Sequence, residues 1–343
     1  MASSITDVPG IRVGQVQKTG DGWLTGVTVV LPPPGTVGSV DVRGGGPATH
    51  ETDALDPTTL VPTVDAVVLA GGSAFGLIAA HGAQRWLEEQ GLGYRTANAV
   101  VPIVPAAAIY DLGRGGDITA RPDEQMGYDA AASAGAAQDF GAVQRGNVGA
   151  GTGAALGFQR YKGGVGTASL RMGGANEGVV VGALAVVNAA GMPFHGGGGG
   201  AEGLHAGAAR PGRPPEGSGA RPGRPPGEGA SGPGRPPGPL NTTLCVVATN
   251  AVLDPAQAKR TASAAHAGLA RALSPSHTLM DGDVVFALAT GQQQLVQEGP
   301  IDPRAELHVL AAEAATAAIR DAVVSAERVA GSGVVLEKYL YPD

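Results

Sequence analysis

Glycine is the residue that most constrains this chain: 57 of its 343 residues are glycine. Glycine brings no side chain to a core and loses more backbone freedom on folding than any other residue. Part of the excess sits in residues 196–239, where 44 residues hold 16 glycines and 10 prolines. Pro-Gly-Arg-Pro-Pro recurs there from Pro211, Pro222 and Pro233. An 11-residue spacing suits a helical repeat, but a proline in every unit forbids the helix. With almost nothing apolar to bury, this insert reads as a disordered linker with polyproline-like stretches. Outside it glycine is still about 14%, roughly twice ordinary usage. Those remaining glycines belong to the folded part.

Composition excludes several classes of function. The net charge of −7 argues against a general nucleic-acid binder, which carries a basic footprint. Apolar residues make up 43% and charged residues 15%, a globular balance. Aromatics are only 4%, so Ala, Val and Leu must fill the core. A single cysteine, Cys245, excludes a disulfide framework or a multi-cysteine zinc site. It lies in an apolar run and reads as core rather than nucleophile. The N-terminal residues show neither a basic region nor an apolar region of a signal peptide. The longest apolar stretches are too short or too proline-broken to span a bilayer. The expectation is a soluble cytoplasmic protein with no membrane partner.

Strand and helix patterns alternate along the chain. Residues 65–70, 179–188, 242–250 and 283–289 are apolar runs that read as buried strands. Helices are expected from the turn at residues 71–76 to about Gln90, from Asp254-Pro255 to near Leu273, and from Asp302-Pro303 to about Arg328. In the second, Asp is the N-cap and Pro the first helical residue. The pattern is α/β in content, with sheets covered by Ala-rich helices.

Several motifs carry possible chemistry. Gly71-Gly72-Ser73-Ala74-Phe75-Gly76 joins a strand to a helix, the setting of a phosphate loop. Its spacing fits neither G-x-G-x-x-G nor the P-loop. It is a tight turn, a pocket wall of backbone N–H groups, or a nucleotide cradle. Asp41-Val42-Arg43-Gly44-Gly45-Gly46-Pro47 precedes Glu51, Asp53 and Asp56, without EF-hand spacing for a cation. Lys162 lies among glycines and is either an exposed loop lysine or one held close to a reacting centre. Asp281-Gly282-Asp283 is a polar turn or a coupled acidic pair whose pKa values are pushed apart. Thr242 follows Asn241 at the start of an apolar strand, just after the insert. It is an ordinary strand start, or cleavage of Asn241–Thr242 frees its amine to act as base for its own hydroxyl.

These stretches occur together in one order. Residues 5–14 (ITDVPGIRVG), 25–31 (TGVTVVL), 42–47 (VRGGGP), 71–76 (GGSAFG), 109–111 (IYD) and 162–169 (KGGVGTAS) precede Asn188, Asn241-Thr242-Thr243 and Asp281-Gly282-Asp283. In this the chain resembles the autoprocessing L-aminopeptidase/D-Ala-esterase family. That family includes β-peptidyl aminopeptidases and nylon-oligomer (6-aminohexanoate-oligomer) hydrolases. The likeness spans the chain apart from residues 196–239.

The resemblance implies a four-layer αββα sandwich of the N-terminal-nucleophile type. It implies one domain, self-cleaved into residues 1–241 and 242–343, that assembles into a homo-oligomer of processed heterodimers, with a tetramer favoured. Thr242 would be the nucleophile and Asn188 the oxyanion donor. Tyr110 matches a pocket tyrosine, Lys162 the active-site lysine, and Asp281 and Asp283 the acidic pair. Thr242 and Asp-Gly-Asp stand where aminopeptidase members carry Ser and Ser-x-Glu, so the chain looks closer to the nylon-oligomer hydrolases. The implied activity is metal-free and cofactor-free hydrolysis of a small amide, peptide or amide-oligomer substrate. Acyl transfer of the glutamate N-acetyltransferase kind is a rival enzyme reading. Nucleotide binding at residues 71–76 is the rival without catalysis.

Overall fold

The computed structural model describes residues 3–194, 241–331 and 334–341. The insert at 196–239 lies outside the described residues. The ten main strands in chain order are β1 (Arg12–Gly20), β2 (Trp23–Leu31), β3 (Val37–Val42), β4 (Thr49–His50), β5 (Val67–Ala70), β6 (Ala106–Ala108), β7 (Gly164–Arg171), β8 (Val180–Asn188), β9 (Thr242–Ala251) and β10 (Val284–Gln293). The long helices are α1 (Ala79–Glu89), α2 (Glu124–Ala136), α3 (Pro255–Ala272) and α4 (Arg304–Ser325). The strands form two five-stranded sheets, ordered β1-β2-β5-β6-β4 and β7-β8-β9-β10-β3. Neighbours are antiparallel except β5 with β6 and β9 with β10, which are parallel.

Three apolar layers separate four structural layers, which is the αββα sandwich. Val27, Val29, Val68 and Ala106 of the first sheet pack on Ala80, Ala83, Met126 and Ala130 of α1 and α2. Val30, Leu69, Leu184, Leu244, Val246 and Phe286 fill the space between the sheets. Val181, Cys245, Val247 and Val285 meet Ala265, Leu269, Ala318 and Ile319 of α3 and α4. Successive residues of β9 therefore serve opposite interfaces. Both faces are buried, which is why these strands read as unbroken apolar runs rather than alternations. Cys245 is fully buried on the helix side, and burial pushes its thiol up to about 12.

The helix signals act as local chemistry requires. The Asp254 carboxylate accepts the Gln257 N–H at 2.8 Å, and the Gln257 side chain accepts the Asp254 N–H at 3.1 Å. This capping box and Pro255 satisfy the start of α3. The expected first helix is split: Ser73–Gly76 makes one turn before α1 begins at Ala79. Among the described residues no helix is long and apolar enough to cross a membrane. No group of three or more His, Cys, Asp or Glu among them could hold a metal ion.

Some of the glycine excess is explained where α1 crosses α2. A β-carbon on Gly82 would overlap the Glu124 carbonyl, and one on Gly127 would overlap the Ala79 carbonyl. The two backbones touch, and neither helix can yield a rigid carbonyl. Replacing a mid-helix Gly by Ala gains up to about 1 kcal/mol in propensity. Overpacking a tight contact costs about 1–3 kcal/mol. Gly127→Ala is therefore expected to lower unfolding stability in urea by about 1–2 kcal/mol. A stabilised variant would show that the crossing is loose.

Candidate active site

The site begins with strand register. β8 runs antiparallel to β9, and Asn188 pairs directly with Thr242. Thr242 shares strand parity with Leu244 and Val246, and Asn188 with Leu184 and Val186. All four of those residues face the gap between the sheets. Both polar side chains therefore sit at the end of that gap, and both are buried. The Asn241–Thr242 peptide is held on both sides. Thr242 Oγ1 donates to the Asn241 carbonyl at 2.5 Å, and the Gly282 N–H donates to the same oxygen at 2.8 Å. The Asn241 N–H donates to the Met280 carbonyl at 3.2 Å. Gly282 must be small, because a β-carbon there would stand 2.6 Å from Thr242 Oγ1.

Asn188 is oriented by its acceptor end. Its Oδ1 accepts from Arg114 Nη1 at 2.6 Å and from the Ala155 N–H at 3.1 Å. Its Nδ2 makes only a long contact, 3.4 Å, to the Tyr110 carbonyl. Tyr110 therefore reaches Asn188 through its backbone, and its phenol lies near enough to Arg114 to act on that charge. Arg114 also donates to the Gly153 carbonyl at 2.5 Å. Burial brings its guanidinium down to about 10, against the opposing pull of Asp111.

Lys162 is fully buried, so the exposed-loop alternative is excluded. Its Nζ donates to the carbonyls of Gly151, Ala154 and Gly163 at 2.7, 2.9 and 2.8 Å. Burial first, and the Arg114 charge second, hold its pKa well below the ordinary lysine value. Its three bonds tie together the loop that presents the Ala155 N–H to Asn188. Lys162 thus stands one step behind the Thr242–Asn188 pair.

The acidic pair frames the other side. Asp283 Oδ1 accepts the Thr243 N–H at 2.7 Å, and its Oδ2 lies 2.8 Å from His277 Nδ1 and accepts the His277 N–H at 2.9 Å. Asp281 Oδ2 accepts the Thr278 N–H at 2.8 Å. Burial and then the Asp283 charge raise the Asp281 pKa. The Arg43–Gly46 run is a backbone brace: Gly46 N–H meets the Asp281 carbonyl, and Arg43 and Gly44 N–H groups meet the Asp283 carbonyl. The glycines at 71–76 make a tight turn whose N–H groups are engaged. Gly72 N–H donates to Asp111 Oδ1 at 2.6 Å and Ser73 N–H to the Ile109 carbonyl at 2.9 Å. Those two donors are not free to cradle a phosphate.

Arg114 and His277 are additions that sequence reasoning missed. Neither lies in a recognisable spacing. Arg114 follows Tyr110-Asp111 by a few residues, and that proximity is the one signal that points toward it. His277 packs edge to face on His266, with ring centres 4.8 Å apart. Burial brings His266 down to about 4. For His277 burial also opposes the charge, but the hydrogen bond and charge of Asp283 outweigh it and raise the pKa.

Comparisons with known proteins agree with the fold. The model of peptidase family S58 matches residues 3–335. An uncharacterised aminopeptidase from Mycobacterium tuberculosis is 47% identical, covering 96% of both chains. A 6-aminohexanoate-oligomer endohydrolase from a Kocuria species is 30% identical over 84% of this chain and 75% of its own. Among solved structures, a Burkholderia β-aminopeptidase aligns with a TM-score of 0.70 at 25% identity, covering 98% of this chain and 91% of that one. The L-aminopeptidase D-Ala-esterase/amidase of Ochrobactrum anthropi, described as a variant of the Ntn hydrolase fold, aligns with the same TM-score and coverage at 23% identity.

The raised pKa of His277 fixes a sign for stability. A group with a higher pKa in the folded state contributes stability that is full below its unfolded pKa, near 6.5, and is lost as pH rises through the folded value. The stability gap between the parent chain and His277→Asn should therefore shrink between about pH 6 and pH 8. Urea unfolding across that range checks it. A gap that widens with pH would place the proton elsewhere.

Proposed function

The chain belongs to peptidase family S58 and hydrolyses amide or peptide bonds, and on that premise we propose that Thr242 is a nucleophile released by self-cleavage of Asn241–Thr242. The observation that carries the reading is the clamped peptide. The Thr242 hydroxyl and the Gly282 N–H converge on the Asn241 carbonyl, directly across the strand pair from Asn188. In self-cleavage, Thr242 Oγ adds to the Asn241 carbonyl carbon, and the Gly282 N–H takes up charge on the oxygen. The C–N bond then breaks, the Thr242 nitrogen leaves with the proton that Oγ gave up, and water hydrolyses the resulting ester.

The freed Thr242 amine is the general base for later turnovers. As it takes the Oγ proton, Oγ attacks the substrate carbonyl carbon. Asn188 Nδ2 donates to the oxyanion in a buried site, where such donors are worth most. The leaving amine departs with the proton, and water hydrolyses the acyl-Thr ester. Asp283 fixes the strand start through the Thr243 N–H, and Asp281 and Asp283 supply the negative potential that keeps the new amine in place. Substrates are small amides, peptides or 6-aminohexanoate oligomers. The name aminopeptidase on relatives at 47% identity favours, as a second reading, removal of an N-terminal residue. Turnover of L-amino-acid amides, β-peptides and 6-aminohexanoate oligomers side by side separates the two.

Purified protein should run as two pieces of about 24 and about 10 kDa, the smaller beginning at Thr242. Thr242→Ala should give one uncut, inactive chain, while Thr242→Ser should keep both activities. N-terminal sequencing and amide turnover check this together. An active chain whose only N-terminus is Met1 or Ala2 would refute it.

A further inference from the structure

Arg114 is a buried cation with an unusual set of partners. It is 5% exposed, and among the described residues no carboxylate stands within ion-pair distance of it, the Asp111 charge acting on it only from farther off. Its Nη1 makes both of its hydrogen bonds, to the Gly153 carbonyl and to Asn188 Oδ1. Among the described residues its Nε and Nη2 are buried without a hydrogen-bond partner. Burying a guanidinium costs several kcal/mol unless something compensates. A core filler would be replaced by an apolar side chain, and a structural ion pair would use the whole donor fork. Here the fork's one productive edge is turned to the oxyanion-donor candidate.

The consequence for Asn188 is specific. An Asn side chain exchanges donor for acceptor if its amide turns over. A turned amide would present a carbonyl oxygen to the developing oxyanion, which is repulsive. A cation on Oδ1 forbids that turn, and a charge-assisted hydrogen bond holds it about twice as firmly as a neutral one. The same contact polarises the amide, so that Nδ2 becomes a stronger donor. We propose that Arg114 is the positioning residue that locks and polarises the Asn188 amide for turnover. This rests on the reading of Asn188 as oxyanion donor. It also separates two steps of the chemistry. The carbonyl cut in self-cleavage is held by Gly282, so Arg114 serves turnover and not processing.

The test is a double-mutant cycle with L-alanyl p-nitroanilide as probe. Arg114→Met keeps length and removes charge; Arg114→Lys keeps charge and loses the fork. Each is made with Asn188 intact and with Asn188→Ala. Processing is followed on a gel, and kcat and KM are measured on processed protein. With Asn188 present, Arg114→Met is expected to cut normally and to lose about 10²-fold in kcat, the low end for a lost oxyanion donor. KM should stay within about threefold, and Arg114→Lys should recover part of the loss. In the Asn188→Ala background the further loss from Arg114→Met should fall to about threefold or less, because residues acting through one another are not additive.

Full additivity, or near-parent kcat in Arg114→Met while Asn188→Ala is impaired, would overturn the Arg114 proposal alone. Loss of processing in both Arg114 variants would overturn it too, as a merely structural role. A near-parent kcat in Asn188→Ala itself would instead overturn the oxyanion reading on which it rests.

Discussion

The pairing of β8 with β9 is the constraint on which the site depends. Asn188 and Thr242 face one another only because these two buried strands align in one register. A slip by one residue would turn Thr242 to the helix side of the sheet and Thr243 into the gap. Burial on both faces makes that slip costly, since Leu244 and Val246 would have to leave the inter-sheet core and Cys245 and Val247 would have to enter it. The apolar sandwich thus fixes a polar pair at its rim, and the energy of a large core is coupled to the position of two side chains.

Around that pair, charge is held in place by backbone. Lys162 is met by three carbonyls, Asp283 by two N–H groups and a histidine, and Asp281 by one N–H and the braces of the Arg43–Gly46 run. Backbone dipoles fixed by secondary structure need no reorganisation when charge develops, which is the basis of electrostatic preorganisation. Glycine has a direct part in this. Gly282 brings an N–H to the Asn241 carbonyl at a spot where any side chain would displace the Thr242 hydroxyl. The chain's glycine excess is in this sense partly a requirement of the chemistry.

What the sequence revealed follows the range of the signal. The α3 cap was legible because Asp254, Pro255 and Gln257 act on their own neighbours. Thr242 was legible as a strand start with a hydroxyl, and the order of motifs pointed to Asn188 and the acidic pair. Their contact was not, because strand register is decided by the packing of distant side chains. Lys162 stood open between an exposed loop lysine and one held close to a reacting centre until the fold set three carbonyls around it. The turn at residues 71–76 stayed open between three readings until Asp111 and the Ile109 carbonyl accounted for its donors. Arg114 and His277 had no pattern of their own, since each matters only through what the fold sets beside it.

The central claim is that Thr242 becomes both a chain end and the acyl acceptor. Intact-mass spectrometry of protein quenched in acid during hydrolysis of an amide substrate tests it most directly. The account predicts that the 242–343 piece alone gains the mass of the acyl group, on its first residue, and that the adduct disappears when substrate is exhausted. An acyl adduct on the 1–241 piece, or steady turnover by a chain that stays uncut, would contradict it.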